Sequence, residues 1–327
     1  MRRTLLLPLA AASAAVLALS PTAGASSDAA ADVFVPAAGS NPATVDPASV
    51  AGSYRLDSGG WAVPVRSAPP AWFTEDEREK TKGGKPQPAP AEAVGPDVPL
   101  SGYVGIRPGS QIVFPYGCTT NFVFGSPGSY SIGTAGHCVD KTGQAVTLLT
   151  IAPGAPPAPE NLVLVEIGTV TKRVDNGVGA DFALISIKPE LQSWVFPTIP
   201  VVGGPCGVYT GDGLTDTTVP VKGHATADAG EQVFHYGHGL GIGTGGTPRT
   251  GHGLYWESKA FWWAGSVVFG DSGSAARVGT TGLGAAGDVT HLIVFDGKHL
   301  GATAAGTRAT ELQRIAGQPI VSSPYCI

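Results

Sequence analysis

Three short runs hold the residues able to do chemistry. The first, Thr134-Ala135-Gly136-His137-Cys138, puts an imidazole straight after the strand-like Tyr130-Ser131-Ile132. Imidazole is the side chain best suited to take and return a proton near neutral pH. A lone histidine is most often a turn residue, and the other six in the chain are read that way first. His137 differs because Cys138, with Cys118 twenty residues upstream, offers a pin for the hairpin that presents it. The second run is Gly270-Asp271-Ser272-Gly273-Ser274, after the apolar Trp262 to Phe269. A serine hydroxyl is a poor nucleophile unless a base is near and donors await the developing oxyanion. The glycines allow a sharp turn, so the amides of Gly270 and Ser272 can point at one spot. By itself the run is also an ordinary Gly/Ser/Asp turn. With Ser274 in place of glycine it fails the G-x-S-x-G elbow, which argues against an α/β-hydrolase.

The third run, Gly179-Ala180-Asp181-Phe182-Ala183-Leu184-Ile185, sets a carboxylate at the start of an apolar strand. A partly buried charge needs a partner, and an imidazole N–H is a good one. Asp140, Asp175 and Asp288 compete for that role, but none directly opens such a strand. His235 and His238 form an H-x-x-H pair; no third ligand stands out in that glycine-rich stretch, so they read as solvated loop histidines and no metal is expected.

The elements that must position these groups are short. From Gly102 onward, β-type runs at Ile112–Phe114, Asn121–Phe124, Ala145–Ile151, Leu162–Val170 and Phe182–Ile187 alternate with Gly, Pro, Asp or Asn. Gly207–Thr210, Val219–Lys222, Ala260–Val268 and His291–Phe295 continue the pattern, and only Thr310–Ile315 reads as a helix, with Leu312, Ile315 and Ala316 on one face. About 225 residues of this texture suit two packed β-barrels better than one sandwich.

Composition agrees. Of 327 residues, 43% are apolar and 14% charged, enough for a large core and against wholesale disorder. Gly 47 and Pro 28 favour turns and short strands over long helices. A formal charge of -5 offers no basic field for nucleic acid. Four cysteines, an even number, suit two bridges in an oxidising compartment. Residues 1–25 read as a signal peptide: Arg2 and Arg3, an apolar Leu5–Leu19, then Ala23-Gly24-Ala25 before Ser26. The arginine pair is compatible with twin-arginine export without being diagnostic of it. The product is expected outside the cell, with no membrane attachment after signal removal. Residues 26–99 are Pro- and Ala-rich with a charge cluster at Glu75–Lys85; they read as a propeptide or a linker, with apolar islands at Val33–Val35, Trp61–Val65 and Trp72-Phe73. Residues 100–327 form the remaining domain, and no internal repeat is evident.

Taken together, TAGHC at 134–138, ADFALI at 180–185 and GDSG at 270–273 stand in the order His, Asp, Ser. Their separations are 181 − 137 = 44 and 272 − 181 = 91, against roughly 45 and 93 in the chymotrypsin chain order. Over about residues 100–327 the sequence resembles the trypsin/chymotrypsin-like serine peptidases, especially the secreted bacterial branch. A weaker match is Cys206-Gly207-Val208-Tyr209-Thr210-Gly211-Asp212-Gly213, like the strand-turn that opens the family's second barrel. The resemblance implies an all-β fold of two packed six-stranded antiparallel barrels with a short C-terminal helix. It implies that Ser272 is nucleophile, His137 base and then acid, and Asp181 the group that fixes the His137 tautomer, with Gly270 and Ser272 amides as oxyanion hole. It implies no cofactor, polypeptide substrates and a monomer. The expected disulfides are Cys118–Cys138 and, with the family's usual partner of Cys206 absent, Cys206–Cys326.

The sequence also departs from the family pattern. Val268 stands where many members have a cysteine, and Asp271 would meet either a new N-terminus or an internal cation. Tyr103-Val104-Gly105-Ile106 only loosely resembles a mature start. Ser266, six before the nucleophile, falls at the base of the primary pocket, and Thr290-His291-Leu292 at its wall. A neutral, short Ser266 predicts poor cleavage after Lys or Arg and a preference for apolar or small residues; His291, if it lines the pocket, would instead favour an acidic or polar residue, and otherwise is an ordinary strand histidine. An alternative to a peptidase is a protease-like fold kept for binding or adhesion.

Overall fold

The computed structural model describes residues 34–37, 40, 45–95, 97–211, 230–239, 246–279, 283–295 and 298–326. The expected signal peptide and the run Val219–Lys222 lie outside them. Among the described residues no helix is long and apolar enough to cross a membrane.

The Pro- and Ala-rich stretch carries more structure than its composition suggests. Its described part forms β1 (Tyr54–Arg55), β2 (Gly60–Pro64), α1 (Glu75–Thr81) and β3 (Gln87–Pro88). The apolar islands hold it down: Val63, Val65 and Phe73 are buried. Helix α1 has no apolar stripe to reveal it in the sequence. It stands on the Thr74 hydroxyl accepting from the Glu77 amide, on acids in its first turn, and on Arg78–Glu75 and Lys80–Glu77 pairs at 2.9 and 2.6 Å.

The first sheet comprises β4 (Gln111–Phe114), β5 (Cys118–Thr119), β6 (Val123–Phe124), β7 (Ser131–Thr134), β8 (Ala145–Ile151), β9 (Leu162–Asp175) and β10 (Asp181–Ile187). Its order is β5-β4-β8-β9-β10-β7-β6, all antiparallel, with β3 added to β9. No ladder joins its two ends. They are the halves of one bent strand, separated only by residues 120–122, so the sheet curls back on itself. Ile112, Val146, Leu148, Val165, Ile167 and Ile185 fill the interior. Each buried aliphatic side chain contributes about 1.5–3 kcal/mol.

The second sheet contains β11 (Gln232–Gly237), β12 (Thr247–Trp256), β13 (Ala260–Gly265), β14 (Ala275–Val278), β15 (Ala285–Phe295) and β16 (Lys298–Arg308). It runs β15-β14-β11-β12-β13-β16 and closes through β15–β16 pairing, a six-stranded barrel. Phe261 and Trp263 stack in its core at 5.0 Å. Strand β14 pairs with β15 only as far as Asp288; beyond it, from His291, the same strand takes β2 as its partner. Helix α2 (Ala309–Ala316) follows, burying Leu312 and Ala316 and ending at Gly317, whose φ of 66° suits glycine.

The fold is the expected all-β pair of barrels with a C-terminal helix, with one barrel closed by hydrogen bonds and the other by its bent strand. Gly207–Thr210 makes only a single bridge, Val208 to Ala285, because its four residues lie against the end of β15 instead of along a neighbour. Ala260–Val268 is a strand only to Gly265, where the chain turns into the loop carrying Ser272. Disulfides join Cys118 to Cys138 and Cys206 to Cys326. The first ties β5 to the turn at Gly136–Cys138, and closing a loop of that length contributes about 3 kcal/mol.

Candidate active site

The first sheet supplies an imidazole and a carboxylate, the second a hydroxyl. After β7 the chain makes one 3-10 turn, Gly136–Cys138, that presents His137. Gly136 is required there, since a Cβ would lie 1.8 Å from the Val174 carbonyl. Arg173 Nε holds the turn by donating to the Gly136 and Val139 carbonyls at 3.0 and 2.8 Å. Asp181 opens β10 and is fully buried. Its Oδ1 accepts from the His137 amide at 3.0 Å, and its Oδ2 lies 2.6 Å from His137 Nδ1. A carboxylate only accepts, so Nδ1 carries the proton and Nε2 is left to accept from Ser272 Oγ, also at 2.6 Å. Ser272 Oγ further lies 3.2 Å from the Thr290 carbonyl. Burial alone would raise the Asp181 carboxyl; attraction and hydrogen bonding to His137, helped by His291, win and hold it below the usual range.

Of the four competing carboxylates, only Asp181 reaches His137. Asp288 is buried instead between Asn121 Nδ2, 3.3 Å away, and the Thr307 amide at 3.0 Å, and burial pushes its carboxyl well above the usual range. His291 Nδ1 lies 3.8 Å from Asp181, so His137, Asp181 and His291 offer three ligand atoms within 4.8 Å of one another. Both His137 nitrogens are engaged in the hydroxyl–imidazole–carboxylate chain, the arrangement of a proton relay.

The loop between β13 and β14 is held by a buried ion pair. Arg249 Nη1 lies 2.7 and 2.8 Å from the Asp271 oxygens, which also accept from the Gly239 and Val268 amides at 2.9 Å. The cation expected for Asp271 is therefore internal, and Tyr103 is itself buried, bonded to Gln111. Gly270 adopts φ +105°, and there it turns its N–H in the same direction as that of Ser272. Both amides meet one acceptor, the carbonyl of Val65, at 2.5 and 3.5 Å. Arg249 and Val65 were not readable as site residues: neither sits in a motif, and Val65 meets the two amides through its backbone.

Three expectations change. Ser266 has an exposed side chain, because β13 ends just before it and only its carbonyl turns inward, to His235 Nε2 at 3.0 Å. His235 and His238 are buried, not solvated: β11 carries His235 into the barrel beside Trp263, and His238, directly after β11, packs on Tyr103 with its Nε2 2.9 Å from the Gly109 carbonyl. His291 is buried beside His137, ring centroids 5.6 Å apart, and burial pushes it down to about 3, so it lies neutral behind the relay and offers no charge to an acidic side chain. Thr290 faces the cleft with its carbonyl, while its hydroxyl bonds to Ala305 and His291.

Burial also lowers His235, and takes His238 to about 4. As pH falls through about 6.5 the unfolded chain protonates His238 and His291 while the folded chain, with these groups at about 4 and about 3, does not, so stability is lost toward acid; the lowered His235 adds to the loss and the raised Asp288 carboxyl opposes it. The loss is expected to be about 1–2 kcal/mol per pH unit between pH 6.5 and 4.5. Urea unfolding of the Ser272→Ala protein, which avoids self-digestion, measures it; a flat profile means that the histidines titrate normally.

The two barrels, with a histidine and an aspartate from the first and a serine from the second, form a trypsin/chymotrypsin-like arrangement. No family model and no curated protein matches the chain. Among solved structures it is similar to protease A of Thermobifida fusca, with 19% identity, 67% of this chain and 99% of that one covered, and a TM-score of 0.41. Cellulomonas bogoriensis chymotrypsin gives 14% identity, 67% and 98% coverage and 0.38. A glutamic acid-specific serine protease that uses a histidine triad in substrate binding gives 16%, 66%, 100% and 0.38. The chemistry is therefore read from the geometry of this chain.

Proposed function

We propose that the protein is a secreted serine endopeptidase that hydrolyses polypeptides through a Ser-His-Asp triad and an acyl-enzyme intermediate. One observation carries this reading: the continuous chain Ser272 Oγ–His137–Asp181 at 2.6 Å per link, with the Gly270 and Ser272 amides converging on a single carbonyl oxygen beside it. A fold kept only for binding has no need of both features together. His137 takes the Ser272 proton during attack and returns it to the leaving amine. Asp181 fixes the tautomer and stabilises the imidazolium. The two amides hold the oxyanion, worth about 3–4 kcal/mol per donor. The Thr290 carbonyl is the acceptor for the backbone of a bound polypeptide. The signal-peptide pattern expected at residues 1–25 and the two disulfides support an extracellular site of action.

A fluorophosphonate probe tests the reading. The secreted protein is expected to be labelled covalently on Ser272, and the Ser272→Ala variant to remain unlabelled. Absence of labelling in a folded, secreted preparation returns the protein to a binding role.

A further inference from the structure

We propose that the Val65–Arg66 peptide bond is this enzyme's first substrate, held across its own active site, and that the uncut segment closes the cleft to other polypeptides. The inference rests on the peptidase reading above. It starts from the acceptor that the two convergent amides already have. The Val65 carbonyl takes the Gly270 and Ser272 N–H groups, the position reserved for the carbonyl whose bond is cut. The same residue donates its own N–H to the Thr290 carbonyl at 3.1 Å.

The flanking chain is in register on both sides of that bond. Upstream, β2 lies antiparallel on β15, with Pro64 opposite His291 and Val63 opposite Leu292. Downstream, Ser67 and Gly117 exchange two hydrogen bonds of 2.8 Å, beside the Cys118–Cys138 bridge. Between them the Arg66 guanidinium donates to the His137 carbonyl and stacks 4.0 Å over Tyr116. An extended chain paired to the enzyme before and after one residue, with that residue's carbonyl in the oxyanion hole, is held as a peptidase holds its substrate. Tyr54 of β1 completes the cover, its ring edge-on to His291 at 5.7 Å and its hydroxyl accepting from the Val178 amide at 2.8 Å.

The Val65 side chain states the specificity. It is fully buried in the apolar cluster that contains Val233, Val267, Phe269 and Val289. A short, branched aliphatic group fits such surroundings, whereas a carboxylate or guanidinium would be buried without a counter-charge. The chemistry closes without a further reactant beyond water. Ser272 Oγ adds to the Val65 carbonyl carbon as His137 takes the hydroxyl proton. The bond to the Arg66 nitrogen breaks and that nitrogen receives the proton. Water then attacks the Val65 ester; its hydroxyl stays on the acyl carbon and its proton passes through His137 back to Ser272 Oγ. Residues after the cut remain attached to the body, since β3 pairs with β9 and Phe73, Ala93 and Leu100 share a core with Leu149 and Leu164. The active chain therefore begins at Arg66, and the part to be shed ends at Val65.

Full-length protein is followed by intact mass and N-terminal sequencing. The expected result is a new N-terminus at Arg66, formed at a rate independent of protein concentration and absent from Ser272→Ala. Val65→Asp is expected to slow it about 100-fold, because the new carboxylate must be buried unpaired. A synthetic peptide spanning Trp61–Pro69, supplied to the processed enzyme, is expected to be cut after Val65; this reads the site without depending on the folding of a variant. A first cut elsewhere, or a peptide left intact, in a preparation whose Ser272 takes the fluorophosphonate overturns this inference alone. A preparation whose Ser272 never takes the probe overturns the peptidase reading with it.

Discussion

Replacing Ser272 by alanine is expected to lower kcat for peptide hydrolysis about 10⁶-fold. The fold should survive, because the change removes one oxygen whose contacts are His137 Nε2 and the Thr290 carbonyl, and no packing group is lost. His137→Ala should be equally damaging and the double variant little worse, since nucleophile and base act as one unit. Residual catalysis of roughly 10³ over water should persist, because the amides of Gly270 and residue 272 remain to hold the oxyanion. Chains produced from Arg66 onward, so that no uncut segment fills the cleft, are compared in single-turnover hydrolysis of a peptide ending its acyl side in valine, with circular dichroism as the check on folding. Turnover within tenfold of wild type in either single variant would sink the proposed mechanism.

The second large effect should come from a residue far from any motif. Arg249 and Asp271 are buried, with side-chain exposures of 8% and 0%. Arg249→Met leaves the Asp271 carboxylate without its cation, and breaking such a pair costs about 3–5 kcal/mol. The same carboxylate fixes the Val268 and Gly239 amides, and so the loop whose Gly270 N–H forms half of the proposed oxyanion hole. Activity should therefore fall about 10²–10³-fold in molecules that remain folded. Adding Asp271→Asn should recover much of the stability, because no uncompensated charge is then buried, while activity stays low because the loop has lost its anchor. Urea unfolding of both single variants and the double variant gives the coupling energy. An Arg249→Met protein within about 0.5 kcal/mol of wild type would show that the pair does not hold the loop.

What the sequence determined by itself is local. An imidazole after one strand, a carboxylate at the start of another and a serine among glycines were legible with their order and spacing, and the structure brings His137, Asp181 and Ser272 into one hydrogen-bonded chain. Strands such as Ala145–Ile151 were legible from a continuous run dense in β-branched and apolar residues, which matches a strand buried on both faces. Strands β12 and β16 were not, because their Gly-, Thr- and Ala-rich sequences carry little alternation and are held by neighbours on both edges. The buried state of His235 and His238, the outward turn of Ser266 and the pairing of Asp271 with Arg249 depend on which elements pack together, and a motif cannot encode that. The Val65 contact is the extreme case. Its hydrogen bonds from the Gly270 and Ser272 amides and its link to Thr290 use only backbone atoms, which every non-proline residue possesses. Only the tertiary pairing of β2 with β15, two segments more than 200 residues apart in the chain, decides which carbonyl lies before Ser272.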